Sequence, residues 1–350
     1  MAIENIVSNK GIIDHPRYIT NEEMFVARGN WGKVYRCYDR VMEDFRAIKI
    51  LDPSAIALEQ MKERGLDAIK AIKKEANELV NAAYIVPRKF EIDNKGRPFI
   101  VMPFFERFFS DIIEENSSDR LYLWHGLDED SVFKYMLSLI QGINEVHLKL
   151  KRAHCDIKPD NFAVDENGNV LVCDLGTSTY LSYGSEFSRE NMGFLLTRAP
   201  ECFIAGSHPD EKSDLWSIGA LFYRLFTGEY PFEAEFKNTT NSIDKICLLL
   251  DNERNSFYAV DNIVELLNGK IIPHKVLENI PLEMCDCFFK LLSINPYDRF
   301  ESSTEASLVL KKTIDQFIQQ RNYHQIRELF IKKYDYLMNI SLSELLKESD

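Results

Sequence analysis

Apolar and polar residues alternate over short stretches in the first hundred residues, and this alternation predicts strands. The strands are expected in MFVAR, KVYRCYD and RAIKIL, which are separated by glycines and charged turns. KFEIDNKGRPFIVMPF predicts a hairpin that turns at residues 94–96. Between these stretches, apolar residues in 54–82 recur mostly at three- to five-residue steps, which predicts one long helix or two in tandem. The first part of the chain is therefore expected to be mostly sheet.

Helical spacing dominates from Phe105 onward. One apolar stripe covers 132–147, and NFAVDENGNVLVCDLG predicts a small hairpin that turns at 166–168. Further helices are predicted at 215–227, within 243–267 and at 282–294, followed by two amphipathic helices after Leu308. A sheet-rich part followed by a helical part predicts an α+β fold with two lobes.

The same pattern predicts how the chain is divided. A loose leader is expected over 1–17, a two-lobed domain over 18–310 and a helical extension over 311–350. Within the domain, the first lobe is expected over about 18–102, the strip PFFE (103–106) as the hinge, and the second lobe over 107–310.

Composition narrows the class of protein. The 350 residues are 45% hydrophobic and carry a net charge of −13, so we expect a sizeable core and no nucleic-acid or anionic-membrane binding. No stretch has the roughly 18 uncharged apolar residues of a membrane-spanning helix. The N-terminus lacks the pattern of a signal peptide. Seven cysteines without paired spacing favour reduced thiols, so we expect a cytoplasmic protein.

The loop HCDIKPDN (154–161) concentrates residues suited to phosphate chemistry. Asp156, Lys158 and Asn161 share this loop, and Asp174 follows the small hairpin. Two carboxylates and an amide oxygen suit Mg²⁺, and a lysine can neutralise charge on a phosphoryl group. A carboxylate kept off the metal can orient a hydroxyl and accept its proton. The alternative, a chance loop of polar residues, is disfavoured by Asp174-Leu175-Gly176 further on.

Two earlier stretches offer phosphate contacts. Gly29 and Gly32 in ARGNWGKVY let backbone N–H groups approach phosphate oxygens, although a hairpin that simply needs two glycines explains them equally well. Lys49 lies inside the apolar strand AIKI and needs a counter-charge there. Glu75 is the preferred partner and Glu78 the alternative. An edge lysine with its ammonium group in water is the remaining interpretation.

Taken in order, these motifs resemble those of eukaryotic-type protein kinases over about residues 18–310. The matching pieces are Gly29-x-x-Gly32-x-Val34, Ala47-Ile48-Lys49, Glu75, His154-Cys155-Asp156 with Asn161, Asp174-Leu175-Gly176 and Ala199-Pro200-Glu201. The lysine two residues after Asp156 resembles the pattern of serine/threonine kinases. The resemblance therefore implies a serine/threonine protein kinase that uses ATP and Mg²⁺ and acts on protein substrates.

The resemblance implies a role for each catalytic residue. Lys49 would hold the α- and β-phosphates and pair with Glu75. Asp174 would bind Mg²⁺, with Asn161 on a second ion. Asp156 would orient the substrate hydroxyl, and Lys158 would touch the γ-phosphate. The residues implied for the nucleotide are Ala27, Gly29, Gly32, Val34, Ala47, Lys49, Met102, Phe104 and Ala163.

Structural roles are implied in the same way. Asp214 would brace the catalytic loop, and Arg299 would pair with Glu201. An apolar column linking the lobes would contain Leu79, Phe90, His154 and Leu175.

Several positions depart from the family's pattern. Cys155 replaces an arginine that grips a phosphate on the activation segment, so we expect activity without obligatory phosphorylation between 176 and 199. Phe194 and Leu195 fall where a threonine usually steadies Asp156 and Lys158, which leaves an unusual substrate platform or a non-protein substrate open. Ala27 replaces the first glycine of the loop and would loosen the grip on nucleotide slightly.

Three segments are additions to the family's pattern. They cover about 56–70, an insert over about 233–281, and 311–350. Each is interpreted either as a packing annex or as a docking site, so a regulatory partner would bind through 232–281 or through the C-terminal helices.

Two rival functions stay open. A pseudokinase scaffold would lack Lys49, Asp156, Asn161 or Asp174, and the chain has all four. A small-molecule kinase of similar fold would usually lack the Ala199-Pro200-Glu201 segment and the lysine at position 158. A secreted effector that acts inside a host cell is the alternative to a protein that stays in the cytoplasm of its own cell.

Overall fold

The chain divides into two compact units. The first comprises Met1–Ile112, Gly142–His154 and Pro159–Tyr183, and the second comprises Ile113–Gln141, Cys155–Lys158 and Gly184–Asp350. The computed structural model describes residues 12–29, 32–51, 70, 73, 76–77, 81–115, 127, 129–175, 179–180, 194–203, 209–227, 230, 282–293 and 295–320.

Six strands of the first unit form an antiparallel sheet. They are β1 (Tyr18–Ile19), β2 (Phe25–Gly29), β3 (Gly32–Asp39), β4 (Asp44–Leu51), β5 (Lys89–Ile92) and β6 (Pro98–Pro103). The order is β1-β3-β4-β6-β5, and β2 also pairs with β3. The strands predicted from alternation and the hairpin around residue 96 are thereby confirmed. Gly96 has a φ of +79° in that turn, a conformation that glycine adopts without strain.

The pleat of the sheet separates two sets of side chains. Lys49 is paired with Val34 across β3–β4, and Ala47 is paired with Met102 across β4–β6. The neighbouring Ile48 belongs to an apolar cluster that also contains Ile13, Tyr18, Tyr35, Cys37, Phe99 and Val101. Because successive residues of a strand face opposite sides, Ala47 and Lys49 lie on the side of the sheet away from this cluster.

Residues 12–17, part of the segment predicted as a leader, pack against this sheet. Ile13 is buried in the apolar cluster, and the Arg17 guanidinium donates two hydrogen bonds of 2.7 Å to the Asp39 carboxylate. These bonds lower the pKa of Asp39 to about 2. Asp39 also accepts the amides of Val41 and Met42 in the β3–β4 turn, so one carboxylate holds both the turn and the N-terminal segment.

Two short antiparallel pairs complete the strands of the first unit. Strand β7 (Arg152–Ala153) pairs with β10 (Thr179–Tyr180), and β8 (Phe162–Val164) pairs with β9 (Val170–Val172). The β8–β9 pair confirms the second predicted hairpin.

The lobe boundaries, with a hinge at 103–106, stay a prediction. The β8–β9 hairpin belongs to the first unit. Backbone hydrogen bonds of 2.9 Å explain this, because Val86 and Tyr84 each bond to Val172 in β9. Gly142 makes the same region close-packed: a Cβ at this position would lie 2.9 Å from the Val172 side chain and 3.0 Å from the Tyr84 carbonyl oxygen.

Five α-helices are described. They are α1 (Phe109–Glu115), α2 (Glu129–Glu145), α3 (Glu211–Thr227), α4 (Leu282–Leu291) and α5 (Ser303–Gln320). The helices predicted around 132–147, 215–227 and 282–294 are confirmed. Those predicted within 243–267 and beyond 320 lie outside the described residues, as does most of 54–82. Among the described helices, none is long and apolar enough to cross a membrane.

Helix α3 forms the centre of the second unit. Its buried residues include Leu215, Trp216, Ile218 and Phe222, and Phe222 packs edge-on against Phe288 of α4. Helix α5 runs without a break across residue 310, where the pattern placed the end of the domain, and Phe317 contacts Phe133 of α2 with ring centroids 5.5 Å apart. Antiparallel sheet in one unit and helices in the other confirm the α+β fold class.

Candidate active site

Lys49 is the candidate phosphate-binding cation of the first unit. It projects from β4, its side chain is 11% exposed, and its Nζ lies 3.1 Å from Oδ1 of Asp174. The counter-charge that the apolar strand requires is therefore supplied by Asp174. The two predicted partners, Glu75 and Glu78, lie outside the described residues, so the Lys49–Glu75 pair stays a prediction.

The backbone before Asp174 is held on both sides of Cys173. The Cys173 amide donates to the Asn161 carbonyl oxygen at 2.8 Å, and the Cys173 carbonyl accepts from the Arg88 guanidinium at 3.0 Å. These bonds connect the two predicted metal ligands, Asn161 and Asp174, through the backbone. Burial raises the pKa of the Cys173 thiol to about 11, so the thiol stays protonated at neutral pH.

An apolar wall contains two of the residues implied for the nucleotide. Met102 and Ala163 lie in one cluster, together with Tyr84, Val86, Phe105, Phe108, Leu171 and Cys173. Ala47 is buried beside Met102 in the sheet. These apolar side chains suit the face of a flat ring. The polar Lys49–Asp174 pair lies in the same unit.

The remaining predicted nucleotide contacts lie in β2, β3 and the strip after β6. Ala27 pairs with Val34, and Gly29 pairs with Gly32 at the end of the β2–β3 hairpin. The Phe104 ring lies 4.8 Å from the Arg36 guanidinium carbon, which also lies 3.8 Å from the Phe45 ring. The Phe104 ring is thus engaged in cation–π stacking, and its predicted contact with the nucleotide stays a prediction.

The second unit contains Asp156 and Lys158 of the predicted catalytic loop. Lys158 Nζ lies 3.2 Å from Asp156 Oδ2. The amide of Cys155 donates to Oδ1 of Asp214 at 2.9 Å, which confirms that Asp214 braces this loop. Cys155 has a φ of +65°, a strained conformation for a residue other than glycine, and the Asp214 contact helps to hold it.

An unpredicted contact reaches the same loop from Thr197. Its hydroxyl donates to the Ile157 carbonyl oxygen at 2.5 Å, and the Ser217 hydroxyl donates to the Thr197 carbonyl oxygen at 2.7 Å. The motif pattern placed a hydroxyl at 194–195, so the role of Thr197 was not predicted. The available signal was a threonine two residues before Ala199-Pro200-Glu201.

Arg299 and Glu201 form the ion pair that the motifs predicted. Two bonds of 2.7 and 2.8 Å join the guanidinium to the carboxylate. The guanidinium also donates to the carbonyl oxygens of Ser293 and Lys212 at 2.8 Å each. The Ser213 hydroxyl of α3 donates to the same carboxylate, so the pair ties the segment around residue 201 to the helix.

The comparison with known families decides the assignment of this arrangement. The sequence model of the protein kinase domain matches residues 20–321. The chain belongs to the protein kinase family. The match agrees with the two-lobed protein-kinase fold class, and it reaches the end of α5.

Several curated relatives of this kinase are named as serine/threonine kinases, at low identity. A probable cyclin-dependent serine/threonine-protein kinase of Dictyostelium discoideum is 28% identical over 274 residues, which are 73% of this chain and 40% of that protein. G protein-coupled receptor kinase 2 of Caenorhabditis elegans is 26% identical over 70% of this chain and 33% of its own length. Serine/threonine-protein kinase par-4 of Caenorhabditis elegans is 27% identical over 67% of this chain and 37% of its own length. The chain thus spans about a third to two fifths of these relatives.

Asn161 and Asp174 have the chemistry of magnesium ligands. A carboxylate and an amide oxygen are hard donors, and the Cys173–Asn161 bond keeps their backbones adjacent. In the part of the chain that the structure describes, no group of three His, Cys, Asp or Glu residues could hold a metal ion alone. Asn161 and Asp174 are the residues that would hold Mg²⁺ if this kinase binds it.

The apolar column of the kinase is described in part. His154 and Leu175 are buried, and His154 stacks on Phe162 with ring centroids 6.0 Å apart. Phe90 is half-buried, and Leu79 lies outside the described residues. The column as a continuous stack stays a prediction.

Proposed function

We propose that this kinase transfers the γ-phosphate of ATP to serine and threonine hydroxyls of protein substrates, with Mg²⁺ as its metal ion. The Lys49–Asp174 contact carries the proposal. It joins two residues 125 positions apart, one expected to bind phosphates and one expected to bind the metal.

The chain's own residues have distinct tasks in this reaction. The Asp156 carboxylate orients the substrate hydroxyl and accepts its proton as the oxygen attacks the γ-phosphorus. The bond from the γ-phosphorus to the bridging oxygen of ADP breaks, and ADP leaves. Lys158, 3.2 Å from Asp156, neutralises charge on the phosphoryl group in transfer. When bound, Mg²⁺ offsets the negative charge of the phosphate oxygens.

Serine/threonine specificity is supported by Lys158 and by the names of the relatives. Lys158 follows Asp156 by two residues, the serine/threonine pattern. Independence from activation-segment phosphorylation is supported by Cys155, which has no fixed positive charge to bind a phosphate. We further propose a cytoplasmic location, and a regulatory partner that binds through 232–281 or the C-terminal helices. These segments, apart from 311–320, lie outside the described residues.

Phosphate transfer from labelled Mg-ATP to a generic basic protein tests the proposal. Asp156→Asn should lower the transfer rate by about 10²- to 10⁴-fold. Asp160→Asn is the matched control, because Asp160 lies in the same loop with an exposed side chain. Phosphoamino-acid analysis should find phosphoserine and phosphothreonine.

The contrary outcomes separate the rival functions. Binding of ATP by the wild type without any transfer would favour a scaffold. Transfer to small molecules and not to proteins would favour a small-molecule kinase. Equal loss in both variants would show that the loop tolerates no change and that Asp156 has no special role.

A further inference from the structure

Thr197 contacts the catalytic loop at the residue that follows Asp156. Thr197 is 1% exposed, and its hydroxyl donates to the Ile157 carbonyl oxygen at 2.5 Å. A side-chain hydroxyl buried this deeply needs a partner. Here the partner is a backbone atom of the loop that carries the proposed catalytic carboxylate.

The backbone is held on both sides of Asp156. On one side, the Cys155 amide donates to Asp214; on the other, the Ile157 carbonyl accepts from Thr197. Cys155 has a positive φ, so this stretch needs surrounding contacts to keep its conformation. The two contacts together restrict the position of the residue between them.

One turn of helix α3 supports both contacts. Asp214 and Ser217 are three residues apart and therefore lie on the same face of the helix. Asp214 bonds to the loop directly, whereas Ser217 donates to the Thr197 carbonyl oxygen at 2.7 Å. The Thr197 side chain thus transmits the position of a rigid helix to the catalytic loop.

Position 194 makes no comparable contribution. Phe194 packs edge-on against the Tyr230 ring with centroids 5.8 Å apart, and its side chain has no hydroxyl to donate. Its backbone carbonyl accepts the Thr197 amide at 3.2 Å. Phe194 and Leu195 have no hydroxyl at the positions where the motif pattern has one, whereas the Thr197 hydroxyl reaches the loop.

We propose that Thr197 is a positioning residue for Asp156, acting through the Ile157 carbonyl and not by contact with substrate. The proposal rests on the proposed phosphotransfer function. It explains how this chain keeps a steady catalytic loop with phenylalanine and leucine at 194–195.

Three variants test the proposal by steady-state kinetics. Thr197→Val keeps the shape of the side chain and removes the hydroxyl, so kcat should fall by about 10- to 100-fold, the cost of a small misplacement. The KM for ATP should stay unchanged, because the nucleotide residues lie elsewhere. Thr197→Ser keeps the hydroxyl and should restore most of kcat. Thr20→Val is the matched control, because Thr20 is also 1% exposed and also donates to a backbone carbonyl, that of Arg36 at 2.8 Å.

Thr20→Val should lose thermal stability as Thr197→Val does while kcat remains that of the wild type. A Thr197→Val enzyme with wild-type kcat would overturn the proposal. Equal losses of kcat in Thr197→Val and Thr20→Val would also overturn it, because they would show a general effect of lost stability.

Hydrogen–deuterium exchange separates this proposal from the proposed function. In Thr197→Val, the amides of 155–158 should exchange faster than in Thr197→Ser or Thr20→Val, whether or not phosphate is transferred. Unchanged exchange in that loop would overturn the positioning role. A wild type without phosphotransfer would instead overturn the proposed function, and the exchange comparison would still decide the role of Thr197.

Discussion

Arg299 in the second unit and Lys49 in the first unit each meet a carboxylate from a distant part of the chain, but their surroundings differ. The Arg299 side chain is fully buried and binds Glu201 through two parallel bonds, with two carbonyl oxygens in addition. The Lys49–Asp174 contact has one bond of 3.1 Å, and the Asp174 side chain is 37% exposed.

This difference in surroundings distinguishes an ion pair that stabilises the fold from one that can bind a ligand. A planar guanidinium with several fixed acceptors holds two segments together and leaves no place for a ligand. An ammonium group on a flexible stem beside a half-exposed carboxylate can rearrange when phosphates and a metal ion arrive. We therefore expect loss of stability from breaking the first pair and loss of activity from breaking the second.

Arg299→Ala should have the largest effect on stability. It leaves Glu201 without its guanidinium, and breaking a buried ion pair costs about 3–5 kcal/mol in the free energy of unfolding. Urea denaturation followed by circular dichroism measures this. Arg299→Lys keeps the charge but not the paired geometry, so it should fall between the wild type and Arg299→Ala. A cost below about 1 kcal/mol, typical of surface pairs, would contradict the comparison.

Lys49→Met should lower activity strongly with little effect on stability. We expect kcat to fall by about 10²- to 10³-fold, since a charge aimed at the transferring phosphate is lost. The melting temperature should change by no more than about 2 °C. Lys89→Met is the control, because Lys89 is also a strand lysine paired with a carboxylate, that of Glu91, but its side chain is mostly exposed. A large drop in melting temperature for Lys49→Met would make the pair structural.

The Arg17–Asp39 pair tests whether the bidentate geometry of an ion pair or its location in the first unit decides how much the pair stabilises the fold. It lies in the first unit with Lys49, yet it is bidentate like Arg299–Glu201. The folded-state pKa of Asp39 is lowered to about 2 from an ordinary value of 3.8. Its contribution is therefore present above about pH 4 and is lost as the pH falls towards 2.

Asp39→Asn should thus cost about 2 kcal/mol of unfolding free energy at pH 7, because a tenfold change in acid dissociation corresponds to about 1.4 kcal/mol. The difference between the variant and the wild type should shrink as the pH falls from 5 to 3. Chemical denaturation at several pH values measures it. A constant difference across this range would show that Asp39 acts by packing and not by charge.

The smallest expected effect follows from Cys155, which stands where the family's pattern has a cation. It concerns how much the removal of phosphate changes kcat. Phosphatase treatment of purified kinase should change kcat by less than about twofold, because cysteine cannot pair with phosphate as arginine does. Cys155→Arg should make activity depend on phosphorylation. Loss of wild-type activity after the treatment would contradict the hypothesis.

Local patterns predicted much of this molecule. Strand alternation located β2, β3 and β4, and helical spacing located α2, α3 and α4, because both patterns depend on neighbours within one turn or one pleat. Asp214 and the Arg299–Glu201 pair were predicted through the motifs. The sequence placed a helical extension after residue 310, and helix α5 (Ser303–Gln320) covers that position.

The sequence by itself determined the fold class and predicted which residues would do the chemistry. Spacing in one loop predicts Asp156, Lys158 and Asn161 as a functional group. Only the tertiary structure decided which distant residues meet. Asp174 lies beside Lys49, and the Thr197 hydroxyl donates to the Ile157 carbonyl oxygen. The physical reason is that periodicity records which face of an element is buried, whereas contacts between residues 40 or 125 positions apart depend on how whole elements pack.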